Sequence, residues 1–136
     1  MQNKHQFYMN IAIEVAKASY CKRAKVGAIL VKDDNIISFG YNGTPSGFDN
    51  TCECEDEDKT NINVIHAESN VITKCSKSTY SSDGATLYLT LSPCYECSKL
   101  IIQAGIKEVV YLTQYRNISG IELLKKAKIN VFQHVS

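Results

Sequence analysis

The sequence predicts a three-layer α/β/α sandwich on a mixed sheet of about five strands. Two apolar runs separated only by Asp33-Asp34-Asn35 read as an antiparallel pair. Beyond residue 66, helical and strand patterns alternate at short spacing, which favours parallel neighbours. Taken in order, residues 7–20 place Ile11, Val15 and Ala18 on one helical face, with Glu14 and Lys17 among the residues around them. Residues 25–32 are nearly all apolar between charged ends, hence a strand, and 36–41 form its partner. Residues 42–63 make a polar loop whose length in so small a chain points to function. A helix over 66–77 turns Ala67, Val71 and Ile72 inward, and 86–91 is a short strand rich in β-formers. Pro93 is expected to open a helix running to about Ala104, with Gly105 at its C-terminal cap. A strand over 107–113, a helix over 119–127 and a last strand over 129–134 complete the order.

At 136 residues the chain is expected to form a single domain, 1–136, large enough to bury a core. Its net charge of +1 provides no field for a polyanion, which disfavours nucleic acid as a partner. A small phosphorylated molecule, needing one or two cations, stays compatible. The polar start lacks a signal-peptide core and no apolar run is long enough to span a membrane, so a cytoplasmic location is expected. There the six cysteines are expected as reduced thiols or metal ligands.

The chemistry concentrates in His66-Ala67-Glu68 and Pro93-Cys94-Tyr95-Glu96-Cys97. H-x-E followed by P-C-x-x-C is the signature of zinc-dependent nucleobase deaminases. His66, Cys94 and Cys97 supply three zinc ligands, leaving the fourth tetrahedral position open for chemistry. Cys94 and Cys97, at i and i+3, share a helical face in the first turn of one helix, while His66 opens another. Both helix N-termini then favour thiolates. Glu68 points away from His66 and is expected to shuttle a proton from water to a ring nitrogen. Each half of the motif is weak alone; their order and the strand between them carry the reading.

Beyond that motif, the chain resembles the deoxycytidylate deaminase family of the cytidine-deaminase-like superfamily. The resemblance lies in Lys25-Val26-Gly27-Ala28-Ile29-Leu30-Val31, in Gly40-Tyr41-Asn42-Gly43-Thr44-Pro45-Ser46-Gly47, in His66-Ala67-Glu68-Ser69-Asn70 and in the run from Ser92 to Val109. It covers about residues 6 to 134. It implies hydrolysis of dCMP to dUMP and ammonia, feeding thymidylate synthesis. By position it implies Asn42 on the deoxyribose, Arg23 or Lys25 with Tyr115 near the phosphate, and Ala67 and Ser92 in the substrate site. On the residues alone, Arg23 and Lys25 equally fit a solvated strand edge, and Asn42 a turn support. The resemblance further implies a homo-oligomer, a hexamer favoured, activated by dCTP and inhibited by dTTP, with Mg accompanying the triphosphates. Gly43, Asn70, Lys74 and Lys77 would face such an effector, although arginine is expected where Lys77 stands. A second, structural zinc would use Cys21, Cys52 and Cys54, with His5 or an acidic neighbour as fourth ligand; free thiols are the default. Cys75 reads as a small buried filler.

Three other readings compete. A tRNA adenosine deaminase shares the metal site but needs a basic surface, and here 53–58 is acidic. A free-nucleoside cytidine deaminase fits the Gly-Tyr-Asn-Gly-x-Pro loop less well. A catalytically silent zinc module has no use for Glu68.

Overall fold

The computed structural model describes residues 4–53 and 60–135. Its elements are α1 (Lys4–Ala16), β1 (Gly27–Lys32), β2 (Asn35–Tyr41), α2 (Ala67–Ser76), β3 (Thr86–Leu91), α3 (Tyr95–Gln103), β4 (Glu108–Thr113), α4 (Ser119–Lys126) and β5 (Asn130–Gln133). The sheet runs β2-β1-β3-β4-β5. β1 pairs antiparallel with β2 and β3, while β3–β4 and β4–β5 are parallel. The expected mixed sandwich is therefore the observed one.

The central strands are buried on both faces, which is why they read as continuous apolar runs. From β1, Ala28 and Leu30 join Leu87, Leu89 and Val109 in the core beneath α2, α3 and α4. Ile29 and Val31 point the other way, joining Tyr88 and Val110 under Tyr8, Met9 and Ala12 of α1. The β1–β2 turn places Asp33 and Asp34 at φ 52° and 64°, the left-handed pair of a tight hairpin that aspartate tolerates. Gly105, at φ 77°, occupies the predicted position just past α3.

Two boundaries shift with consequences for function. α1 stops at Ala16 rather than Tyr20, because residues 17–19 tighten into i→i−3 turns and Ser19 Oγ then donates to the Asn42 carbonyl (2.9 Å). Residues 17–26 thus leave the helix and become a wall beside the Gly-Tyr-Asn-Gly segment. Pro93 does not open α3. Cys94 is the N-cap, extended at φ −74° and ψ 171°, and its Sγ accepts the Cys97 N–H. His66 is likewise the N-cap of α2 rather than a first-turn residue.

Candidate active site

α2 and α3 lie side by side on the sheet and direct their N-termini at one point beyond the end of β3. His66 Nδ1 stands 3.6 Å from Cys94 Sγ and 3.3 Å from Cys97 Sγ. Among the described residues, these three form the one set of His, Cys, Asp or Glu side chains whose ligand atoms gather within 4.8 Å. Zinc at about 2.0 Å from nitrogen and 2.3 Å from sulfur sets tetrahedral neighbours roughly 3.5 Å apart, so the donor set fits that ion. Hydrogen bonds from the Cys97 thiol and His66 draw the Cys94 thiol down to about 4. The Cys97 thiol is pushed up by sharing its proton with Cys94 and by burial, and the Cys94 contact raises His66. The shift favours the thiolate at Cys94, the form that ligation requires.

Glu68 stands outside this ligand set. Its side chain is only 4% exposed, and burial pushes its carboxyl up to about 7. Such a group accepts and releases protons near neutrality. It opens onto a cavity of about 290 Å³ that His66 and Cys94 also line.

The same cavity gathers five of the six proposed substrate residues: Arg23, Asn42, Ala67, Ser92 and Tyr115. Lys25 is not among them. Its Nζ donates to the Ser19 carbonyl (2.5 Å), which ties it into the wall, so of the two it is Arg23 that lines the cavity. Arg23 is held at its rim by an N–H bond from its guanidinium to Thr60 Oγ1 (2.9 Å). Asn42 lines the cavity while its amide serves the turn: Oδ1 accepts from Val26 N–H (2.9 Å) and Nδ2 donates to the Ala24 carbonyl (2.8 Å). Ser92 Oγ accepts from Tyr115 N–H (2.7 Å), fixing the tyrosine beside the site.

Gly43, Asn70, Lys74 and Lys77 meet in a second cavity of about 310 Å³. Asn70 Nδ2 donates to the Tyr41 carbonyl (2.7 Å), and the Lys74 ammonium lies 3.5 Å from the Phe39 ring centre. Gly43, which lines this second cavity, forms an isolated bridge with Ile65, the residue before His66.

Cys21 and Cys52 correct the expectation of free thiols: they are bonded as a disulfide and line the first cavity. Bonded sulfurs lack the thiolate charge zinc binds, which removes two ligands of a second zinc. His5 is not near them but hydrogen-bonded to the Tyr88 hydroxyl (2.8 Å). Cys54, and the acidic stretch beyond Glu53, lie outside the described residues. Cys75 is a buried free thiol, as expected.

Sequence reasoning passed over Gly120. A Cβ there would press on the Pro93 carbonyl oxygen and stand 2.7 Å from Ser98 Oγ and 2.8 Å from the Cys94 carbonyl carbon. The start of α4 thus backs the ligand junction at main-chain contact. Gly120→Ala is expected to displace Cys94, lowering stability by about 1–3 kcal/mol and weakening zinc retention together. Denaturant titration and chelator competition on the same samples check this.

Residues 2–113 match the model of the cytidine and deoxycytidylate deaminase zinc-binding region. The chain belongs to that family, and it is a deaminase. It is 40% identical to ComE operon protein 2 of Bacillus subtilis over 95% of this chain and 70% of that protein. It is 35% identical to the deoxycytidylate deaminase of Enterobacteria phage T4, over 91% of this chain and 86% of that one. The dCMP deaminase of cyanophage S-TIM5, solved in complex with dCMP and dUMP, superposes with a TM-score of 0.92 at 48% identity, covering 95% of each chain.

Proposed function

We propose that the chain hydrolyses dCMP to dUMP and ammonia, with zinc held by His66, Cys94 and Cys97. The observation that carries this reading is the convergence of those ligand atoms within 4.8 Å beside a buried carboxyl at the floor of one cavity. Held by these three residues, zinc would supply Lewis-acid activation of a water, bringing its pKa toward neutrality. Glu68 would take a proton from the attacking water and deliver it to ring nitrogen 3 as the water oxygen bonds to carbon 4. It then carries the remaining hydroxyl proton to the exocyclic nitrogen. The carbon–nitrogen bond breaks, ammonia leaves, and carbon 4 becomes a carbonyl. Arg23 faces the phosphate from the cavity rim, and Asn42 offers its spare N–H to the sugar. Tyr115 stands with Arg23 near the phosphate, and Ala67, between His66 and Glu68, flanks the base.

The product is the substrate class of thymidylate formation, and the second cavity is the place for a regulating triphosphate. There Lys74 and Lys77 supply the cationic side, with Mg on the phosphates. Tyr95 and Leu100, both on α3, are each 47% exposed, and self-association would cover such apolar side chains. No helix among the described residues is long and apolar enough to cross a membrane.

Ammonia release from dCMP, deoxycytidine, dCTP and a tRNA anticodon stem-loop tests the substrate assignment. Preferential turnover of dCMP is expected. Turnover of the stem-loop alone would transfer the site to RNA editing, and equal turnover of deoxycytidine would remove the phosphate role of Arg23.

A further inference from the structure

The two ligand thiols are not supported alike. Cys94 Sγ, at the partly exposed N-cap of α3, accepts the Cys97 main-chain N–H at 3.4 Å. Cys97 is 4% exposed, deeper than its partner, and that amide points away from its own sulfur. Its side-chain partner comes from the other helix: Ser69 Oγ lies 3.6 Å from Cys97 Sγ, a contact in which either atom can donate and, once the sulfur is a thiolate, only the hydroxyl can. Ser69 follows His66 by one helical turn, so it occupies the same face of α2 and leans toward the same centre. Ser69 is also the residue after Glu68, and its carbonyl accepts the Thr73 hydroxyl (2.9 Å), which holds this turn in place.

We infer that Ser69 is a positioning residue of the metal centre, its hydroxyl donating to the Cys97 thiolate across the α2–α3 junction. The inference rests on reading His66, Cys94 and Cys97 as zinc ligands. A buried thiolate needs a hydrogen-bond donor to hold its charge and a fixed direction for its lone pair. Cys94 obtains both from the backbone of its own helix. Cys97 obtains them from a side chain, so this half of the site can be altered by substitution. The contact also ties the helix carrying the proton shuttle to the helix carrying the thiolates, fixing the distance between Glu68 and the metal.

The test compares the full chain with Ser69→Ala and Ser69→Thr. Zinc affinity is read by competition with a chromophoric chelator, and the sulfur-to-metal charge-transfer band is read after cobalt(II) substitution. Alanine favours a helix more than serine does, so Ser69→Ala is expected to fold. It should bind zinc about 10–100-fold more weakly. Its cobalt band should move to longer wavelength, because the sulfur lone pair is no longer lowered by a donor. Its kcat should fall with KM for dCMP unchanged. Ser69→Thr keeps the hydroxyl and should restore affinity and spectrum. A Ser69→Ala protein with wild-type zinc affinity and an unmoved band would overturn the inference, even if its thermal midpoint dropped. A wild-type chain that binds no zinc would instead overturn the ligand reading on which it rests.

Discussion

Glu68→Gln should abolish most turnover while leaving fold and metal in place. Glu68 is 4% exposed, and burial pushes its carboxyl up to about 7. A glutamine of the same shape therefore introduces no new buried charge, and stability should stay within about 1 kcal/mol. What the amide cannot do is accept a proton from water and pass it on. General acid–base groups contribute about 10²–10⁴-fold, and kcat should fall by that factor. Zinc stoichiometry and dCMP affinity should hold, since Glu68 lies outside the ligand set. Ammonia release, metal analysis and calorimetric titration on one preparation decide it. A variant within tenfold of wild type would remove Glu68 from the mechanism.

Cys97→Ser is expected to empty the centre. The substitution is nearly isosteric, so any loss reports ligation rather than packing. Structural zinc sites yield roughly 10–16 kcal/mol from four ligands, or about 2.5–4 kcal/mol per ligand, which corresponds to about 10²–10³-fold in affinity. The buried position of Cys97 excludes water as an easy substitute. Cys75→Ser makes the matching control: that thiol is buried in the core, away from the centre, and should cost stability without touching zinc. Equal zinc retention by both variants would refute the ligand assignment.

Much of this was legible because the relevant signals are local. The double-sided burial of β1, β3 and β4 appears as uninterrupted apolar runs. The metal set announces itself because a helix N-terminus presents i and i+3 side chains together, whether the first cysteine is the cap or one residue further in. Three features were not legible, each because it depends on a tertiary contact. Lys25 looked as available as Arg23, yet the early end of α1 exposes the Ser19 carbonyl that captures it. Cys21 and Cys52 lie on separate loops, and nothing in their spacing says that their Cα atoms approach to 5.2 Å. Gly120 and Ser69 matter through neighbours on other helices, so periodicity along their own helices does not mark them.

Conversion of dCMP to dUMP before and after removal of zinc tests the central claim most directly. The zinc-loaded chain should turn dCMP over, lose that activity when stripped by a chelator, and regain it on return of one equivalent of zinc. Turnover that survives complete removal of the metal, or its absence in the loaded chain, would contradict the account.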